Sequence, residues 1–87
     1  MFEVEITREG IRHLNQLPEK VRDAALQAIR GPIAENPRRA GKPLVGELFG
    51  LYSARRGDYR VIYEVDDDRK VVTVHRIQHR HVVYRPH

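Results

Sequence analysis

Eighty-seven residues with a net charge of +4 and no cysteine make one small domain, without a disulfide framework or a cysteine zinc site. A chain of this size buries only about 60% of its unfolded surface, so its core is small and its stability marginal. The sequence carries neither a signal peptide nor the roughly 20 apolar residues of a membrane span, so the expected location is the cytoplasm, with no membrane partner.

Charge is unevenly placed. Residues 1–35 balance at −1 and residues 36–87 at +5, and four of the five histidines lie beyond residue 74. Clustered basic charge suits a polyanion, because phosphate contacts release counterions. An ordinary solvated basic face remains the competing explanation.

Phe2, Val4 and Ile6 alternate with Glu3 and Glu5, which predicts a first strand with one buried face. Thr7 is placed to cap a helix. Ile11 and Leu14 recur at helical spacing, with Leu17 near the same face, and Gly10 shortens that helix. Pro18 opens a second helix, where its missing N–H costs nothing. Val21, Ala25, Ala28, Ile29 and Ile33 form its apolar stripe, interrupted by a kink or break at Gly31-Pro32. Asn36-Pro37 ends it, and the two helices form an antiparallel hairpin. Residues 36–50 are rich in Pro, Gly and basic residues and read as a loop, pinned by Leu44, Leu48 and Phe49.

Three strands follow, Leu51 to Arg55, Tyr59 to Val65 and Val71 to Ile77. The polar turn Asp66-Asp67-Asp68-Arg69 makes the last two an antiparallel hairpin. The expected fold class is α+β: an N-terminal strand, an antiparallel helix hairpin and a three-stranded antiparallel meander, in one domain over residues 1–87. The helices cover one sheet face and leave the other open.

Val61, Tyr63 and Val65 share one face of the middle strand, and Arg60, Ile62 and Glu64 the other. The end of the last strand lies beside the start of the middle one, so Arg60 and residues near Arg80 meet. Guanidinium groups, imidazoles and a phenol at one sheet edge fit phosphodiester cleavage. That reaction needs a base, cations for the phosphorane and an acid for the leaving oxygen. In RNA the neighbouring 2′-OH can be the nucleophile, so no metal or other cofactor is expected. Each residue also has a plainer reading. Arg60 can cover the sheet with its stem, and Tyr84 can pack with its hydroxyl at the surface. His75, His79 and His81 have spacings that resemble a metal cluster but lack a further ligand. Asp66-Asp67-Asp68 lacks the glycine and glutamate of a calcium loop.

The run Asn36-Pro37, Gly41-Lys42-Pro43-Leu44, Leu48 and Gly50 through Glu64 resembles the RelE/ParE superfamily of bacterial toxins. The Gly57-Asp58-Tyr59-Arg60-Val61-Ile62-Tyr63 block is its most specific part. The opening strand, the Leu17-Pro18 junction and His79-Arg80-His81-Val82-Val83-Tyr84-Arg85 fit the same pattern, so the resemblance spans the chain. It implies a toxin of a type II toxin-antitoxin system. RelE-like members cut mRNA in the ribosomal A site, leaving a 2′,3′-cyclic phosphate and a 5′-hydroxyl. ParE-like members poison DNA gyrase without that chemistry. In the RelE-like reading, Arg60 holds the scissile phosphate, Arg80 stabilises the transition state or leaving group, and Tyr84 is the base. His81 is the reserve base. Arg38, Arg39, Lys42, Arg55, Arg56 and His79 are the candidate RNA contacts. Where some members carry two lysines, this chain has Ser53 and Arg55, one cation fewer.

The resemblance also implies a RelB-like antitoxin that covers the basic face or displaces the C-terminal segment, with operator DNA bound only through that complex. Three functions stand open at this level: the ribosome-dependent endoribonuclease, the gyrase inhibitor, and a subunit that has lost activity and serves the operator complex.

Overall fold

The computed structural model describes residues 1–85. Strand β1 (Glu3–Ile6) leads into α1 (Arg8–Gln16), capped by Thr7, whose side chain accepts from the Gly10 N–H. Pro18 stands before α2 (Glu19–Ala28), as its fixed φ predicts. The expected disruption at Pro32 takes the form of one π-helical turn, Ile29–Ile33. Widening the turn accommodates a residue with no N–H to donate while the chain keeps its direction. The buried stripe therefore continues through Ala25, Ala28, Ile29 and Ile33.

Residues 36–50 hold more structure than a loop. Pro37 begins a one-turn helix, α3 (Pro37–Ala40), and Lys42–Pro43 form a two-residue strand, β2. Leu44 is half-buried, but Phe49 is 83% exposed and does not pin the segment to the core. Gly46 and Gly50 adopt left-handed φ of +70° and +100°, which turn this stretch outward. The anchor is instead Tyr63, whose buried hydroxyl donates to the Pro37 carbonyl at 2.6 Å. Burial pushes its pKa up to about 12.

Strands β3 (Leu51–Arg56), β4 (Tyr59–Asp66) and β5 (Val71–His79) form the expected antiparallel meander. The sheet is larger than the meander: five strands in the order β1-β5-β4-β3-β2. β1 runs parallel to β5 and β2 antiparallel to β3. Leu14, Leu17, Ala25, Ile29 and Ile33 pack against Ala54, Val61, Tyr63, Val72, Val74 and Ile77. Between the pairs Ile62↔Arg76 and Tyr63↔Val74 the register shifts by one residue. His75 is the extra residue, and this bulge lets both Val74 and Ile77 face the core.

β1 pairs only with Val71 to Val74. Beyond Val74 the helix α1 takes over the exposed edge of β5. Thr7 donates its N–H to the Val74 carbonyl at 2.9 Å and its hydroxyl to the His75 carbonyl at 3.2 Å. The Ile77 N–H donates to His13 Nδ1 at 3.1 Å. This close approach explains Gly10: a Cβ there would meet Ile6 Cγ2 at 2.8 Å and the Val74 carbonyl at 3.0 Å. Gly10→Ala should therefore destabilise the fold by about 1–3 kcal/mol through overpacking, although alanine is the better helix former. Urea unfolding of the two proteins checks the sign. Tyr63→Phe should cost about 1–3 kcal/mol in the same assay, because it strands the buried Pro37 carbonyl.

Candidate active site

The antiparallel register delivers the expected meeting of Arg60 with the end of β5. Tyr59 pairs with His79 and Arg60 with Gln78, and the Arg80 N–H donates to the Asp58 carbonyl at 2.7 Å. Around this end lies a cleft of about 240 Å³, lined by Arg55, Asp58, Tyr59, Arg60, Gln78, His79 and Arg80. Arg55 and Arg60 stand opposite each other on β3 and β4, on the face away from the helices. Three arginines, Arg55, Arg60 and Arg80, thus line one opening, together with the acidic Asp58. Arginine forks match phosphate oxygens and stay charged at any physiological pH.

Arg55 and Arg60 also line a wider, adjoining cleft of about 560 Å³ with Arg39, Lys42, Arg56 and Ser53. The two clefts meet at Arg55 and Arg60 and together gather Arg39, Lys42, Arg56 and Arg80. Such a concentration of positive charge attracts anions.

Past β5 the chain turns, with the Val82 N–H donating to the His79 carbonyl at 3.2 Å. His79 Nδ1 accepts from the His81 N–H at 3.1 Å, and the two imidazoles lie 5.9 Å apart. The accepting Nδ1 carries no proton, so neutral His79 has its N–H on Nε2. His81 is exposed at the turn. Tyr84 lies outside the arginine cleft. Its ring packs on His13 at 4.2 Å, and its buried hydroxyl lies near the His79 backbone amide without reaching hydrogen-bond geometry. Burial raises its pKa, and the nearby amide opposes the shift only in part. A general base at neutral pH needs the opposite shift.

Arg38 lines neither cleft. It pairs with Asp67 and the Tyr52 hydroxyl, with its guanidinium 5.6 Å from the Tyr52 ring centroid. His75 is engaged on the open face with Glu64 at 3.0 Å. Asp58, Tyr59 and Gln78 also line the cleft, and none of the three is among the site residues expected from the sequence. The alternation that places Arg60 on the open face also places Gln78 there, once β5 extends two residues past Ile77. The roles of His13 and Gln16 arise from contacts across 64 and 69 residues of sequence, beyond any local pattern.

Comparison with known proteins defines the class. Residues 4–84 match the family model described as the ParE toxin of a type II toxin-antitoxin system, parDE. Toxin RelE of Mycobacterium tuberculosis is 46% identical over 84 residues, covering 97% of this chain and 87% of that protein. Toxin RelG of the same organism is 39% identical and covers 97% of each. The toxin-antitoxin complex RelBE2 of M. tuberculosis contains a chain that superposes with a TM-score of 0.88 at 39% identity, over 91% of this chain and 98% of that one. The isolated RelE toxin of E. coli shares the fold, with a TM-score of 0.77 at 20% identity over 95% and 88% of the two chains. The chain belongs to the RelE/ParE superfamily of type II toxin-antitoxin toxins, and within it to the RelE family. Among the described residues no helix is long and apolar enough to cross a membrane.

The His13 contact gives the fold a pH dependence. His13 is 7% exposed, and burial lowers its pKa below 6.5, opposed by Glu9 and assisted by Arg12 and Arg76. The unfolded chain therefore takes up this proton first as the pH falls. The contribution is complete above pH 6.5 and is lost below it, as the pH drops through the folded pKa. Urea unfolding at stepped pH should show a steeper acid-side loss for the wild type than for His13→Gln. Parallel curves would contradict this origin.

Proposed function

We propose that this toxin is a ribosome-dependent mRNA endoribonuclease that inhibits translation. The observation that carries the reading is the cleft in which Arg55, Arg60 and Arg80 converge with His79. In the reaction, the 2′-oxygen attacks the adjacent phosphorus as a base removes its proton. The bond from phosphorus to the 5′-oxygen breaks, and that oxygen gains a proton. The products are a 2′,3′-cyclic phosphate and a 5′-hydroxyl. Protein side chains and the substrate's own hydroxyl suffice for these steps. Arg60 holds the scissile phosphate and Arg80 stabilises the charge that develops on it. Arg39, Lys42, Arg55 and Arg56 carry the flanking backbone, in keeping with their shared cleft. Arg38 plays no part in this, because its charge is matched by Asp67.

For the base, the reading favours His81 over Tyr84. Burial opposes the phenolate that Tyr84 would have to form, whereas His81 is exposed beside the cleft-lining His79. The matched RelBE complexes contain antitoxins, and a RelB-like antitoxin is the partner proposed for this chain. Its binding would neutralise the +5 half of the sequence. Operator DNA enters only through that complex, in the cytoplasm.

Induction without antitoxin, with mRNA 5′ ends mapped, tests the function. New 5′-hydroxyl ends inside coding frames, lost when ribosomes are absent, are expected. Arg60→Ala and Arg80→Ala should remain folded and reduce cleavage about 10²–10³-fold, the usual loss for a charge-stabilising donor. His81→Ala should cost about 10²–10⁴-fold, the range of general-base catalysis, while Tyr84→Phe stays within a few-fold of the wild type. Growth arrest without new ends would favour the gyrase-directed reading, to which the ParE description of the matched family model points.

A further inference from the structure

We infer that Gln16, at the end of α1, is a positioning residue that holds the Arg80–His81 turn in register with the arginine cleft. The inference rests on the nuclease reading above. Few main-chain bonds secure the segment after β5. The Arg80 N–H is bound to Asp58 and the Val82 N–H to His79. Beyond Val82, the main-chain tie of the described segment is Gln16. Its Oε1 accepts from the Arg85 N–H at 2.8 Å, and its Nε2 donates to the Arg85 carbonyl at 3.0 Å. One side-chain amide thus satisfies both main-chain groups of one residue, as a neighbouring strand would.

The other contacts of the segment do not fix its position along the chain direction. Val82 and Tyr84 pack against the core, and Tyr84 lies on the His13 ring. Apolar contact of this kind is non-directional, and a ring can slide over its neighbour at little cost. The paired amide cannot slide, since both bonds require one residue at one place. With the segment fixed at Asp58 on one side and at Gln16 on the other, the turn carrying Arg80 and His81 has a defined position. Gln16 is only half-buried and touches neither cleft, so its effect on chemistry passes through the main chain of Arg85.

The test uses the whole toxin on ribosomes programmed with mRNA, measuring kcat and KM separately. Gln16→Leu, which keeps the bulk and loses both bonds, should lower kcat about ten- to a hundredfold, the loss that follows a misplacement near 1 Å, with KM within about twofold. Gln16→Glu keeps the acceptor for the Arg85 N–H and should recover part of kcat. Hydrogen exchange should show the Arg85 amide released in Gln16→Leu and the Ile77 amide still protected. If Gln16→Leu fails to fold, the contact is cut from the other side. Arg85→Pro removes the N–H, Arg85→Ala keeps it, and the proline variant should be about tenfold slower than the alanine one. Wild-type kcat in Gln16→Leu, or a change confined to KM, overturns the inference. Arg60→Ala in the same assay separates the two readings. If it is inactive while Gln16→Leu runs at full speed, only the clamp fails. If it cleaves like the wild type, the nuclease site itself is misassigned.

Discussion

A nine-residue strand lies beside a four-residue one, and the leftover edge has to be satisfied. β5 needs partners beyond Val74, above all at Ile77, which is buried, and buried main-chain groups are costly when unpaired. α1 supplies them from side chains and from its cap. That requirement draws the helix down onto the strand, calls for glycine at position 10 and for a neutral imidazole at position 13. It also orders one helix face along the strand. Glu9, His13 and Gln16, three and four residues apart, meet Arg76, Ile77 and Arg85 in turn.

The cationic site follows from the same arrangement. With α1 and α2 committed to one face, the strand alternation puts Arg55 and Arg60 on the other. Adjacent guanidinium groups repel each other, so their clustering lowers stability unless an anion neutralises them. The arginines of β3 and β4 sit on hydrogen-bonded sheet, which holds side chains more exactly than a loop does. Arg80 and His81 sit just past the sheet, on a turn tied down by a few directed contacts. The site thus joins a stiff platform to a more lightly held arm.

Much of this was legible in the sequence because it is local. The alternation of Val61, Tyr63 and Val65 with Arg60, Ile62 and Glu64 assigned both faces of β4, and the antiparallel hairpin brought Arg60 to Arg80. Thr7 and Pro18 marked helix starts by their own chemistry. What escaped was set by distant partners. The parallel pairing of β1 with β5 and the contacts of His13 and Gln16 join opposite ends of the chain. Arg38 read as one more cation until Asp67, a turn residue 29 positions away, claimed it. Phe49 read as an anchor by hydrophobicity alone, but the left-handed glycines on either side of it turn the segment outward. Tyr84 read either as a phenol for chemistry or as a packing residue with its hydroxyl at the surface, and its contact with His13 became visible only with the helix in place.

The single-residue bulge at His75 has a consequence for how such a sequence can vary. It divides the β4–β5 hairpin into two lengths of ladder with independent phase. On the far side, the Asp66–Lys70 turn can gain or lose a pair of residues, one from each strand, while the cleft end keeps its alternation. On the near side there is no such slack: removing the extra residue would rotate Gln78 into the core and Ile77 out of it. Length variation among homologues should therefore gather at the distal turn, and the spacing from the bulge to Arg80 should behave as a fixed ruler.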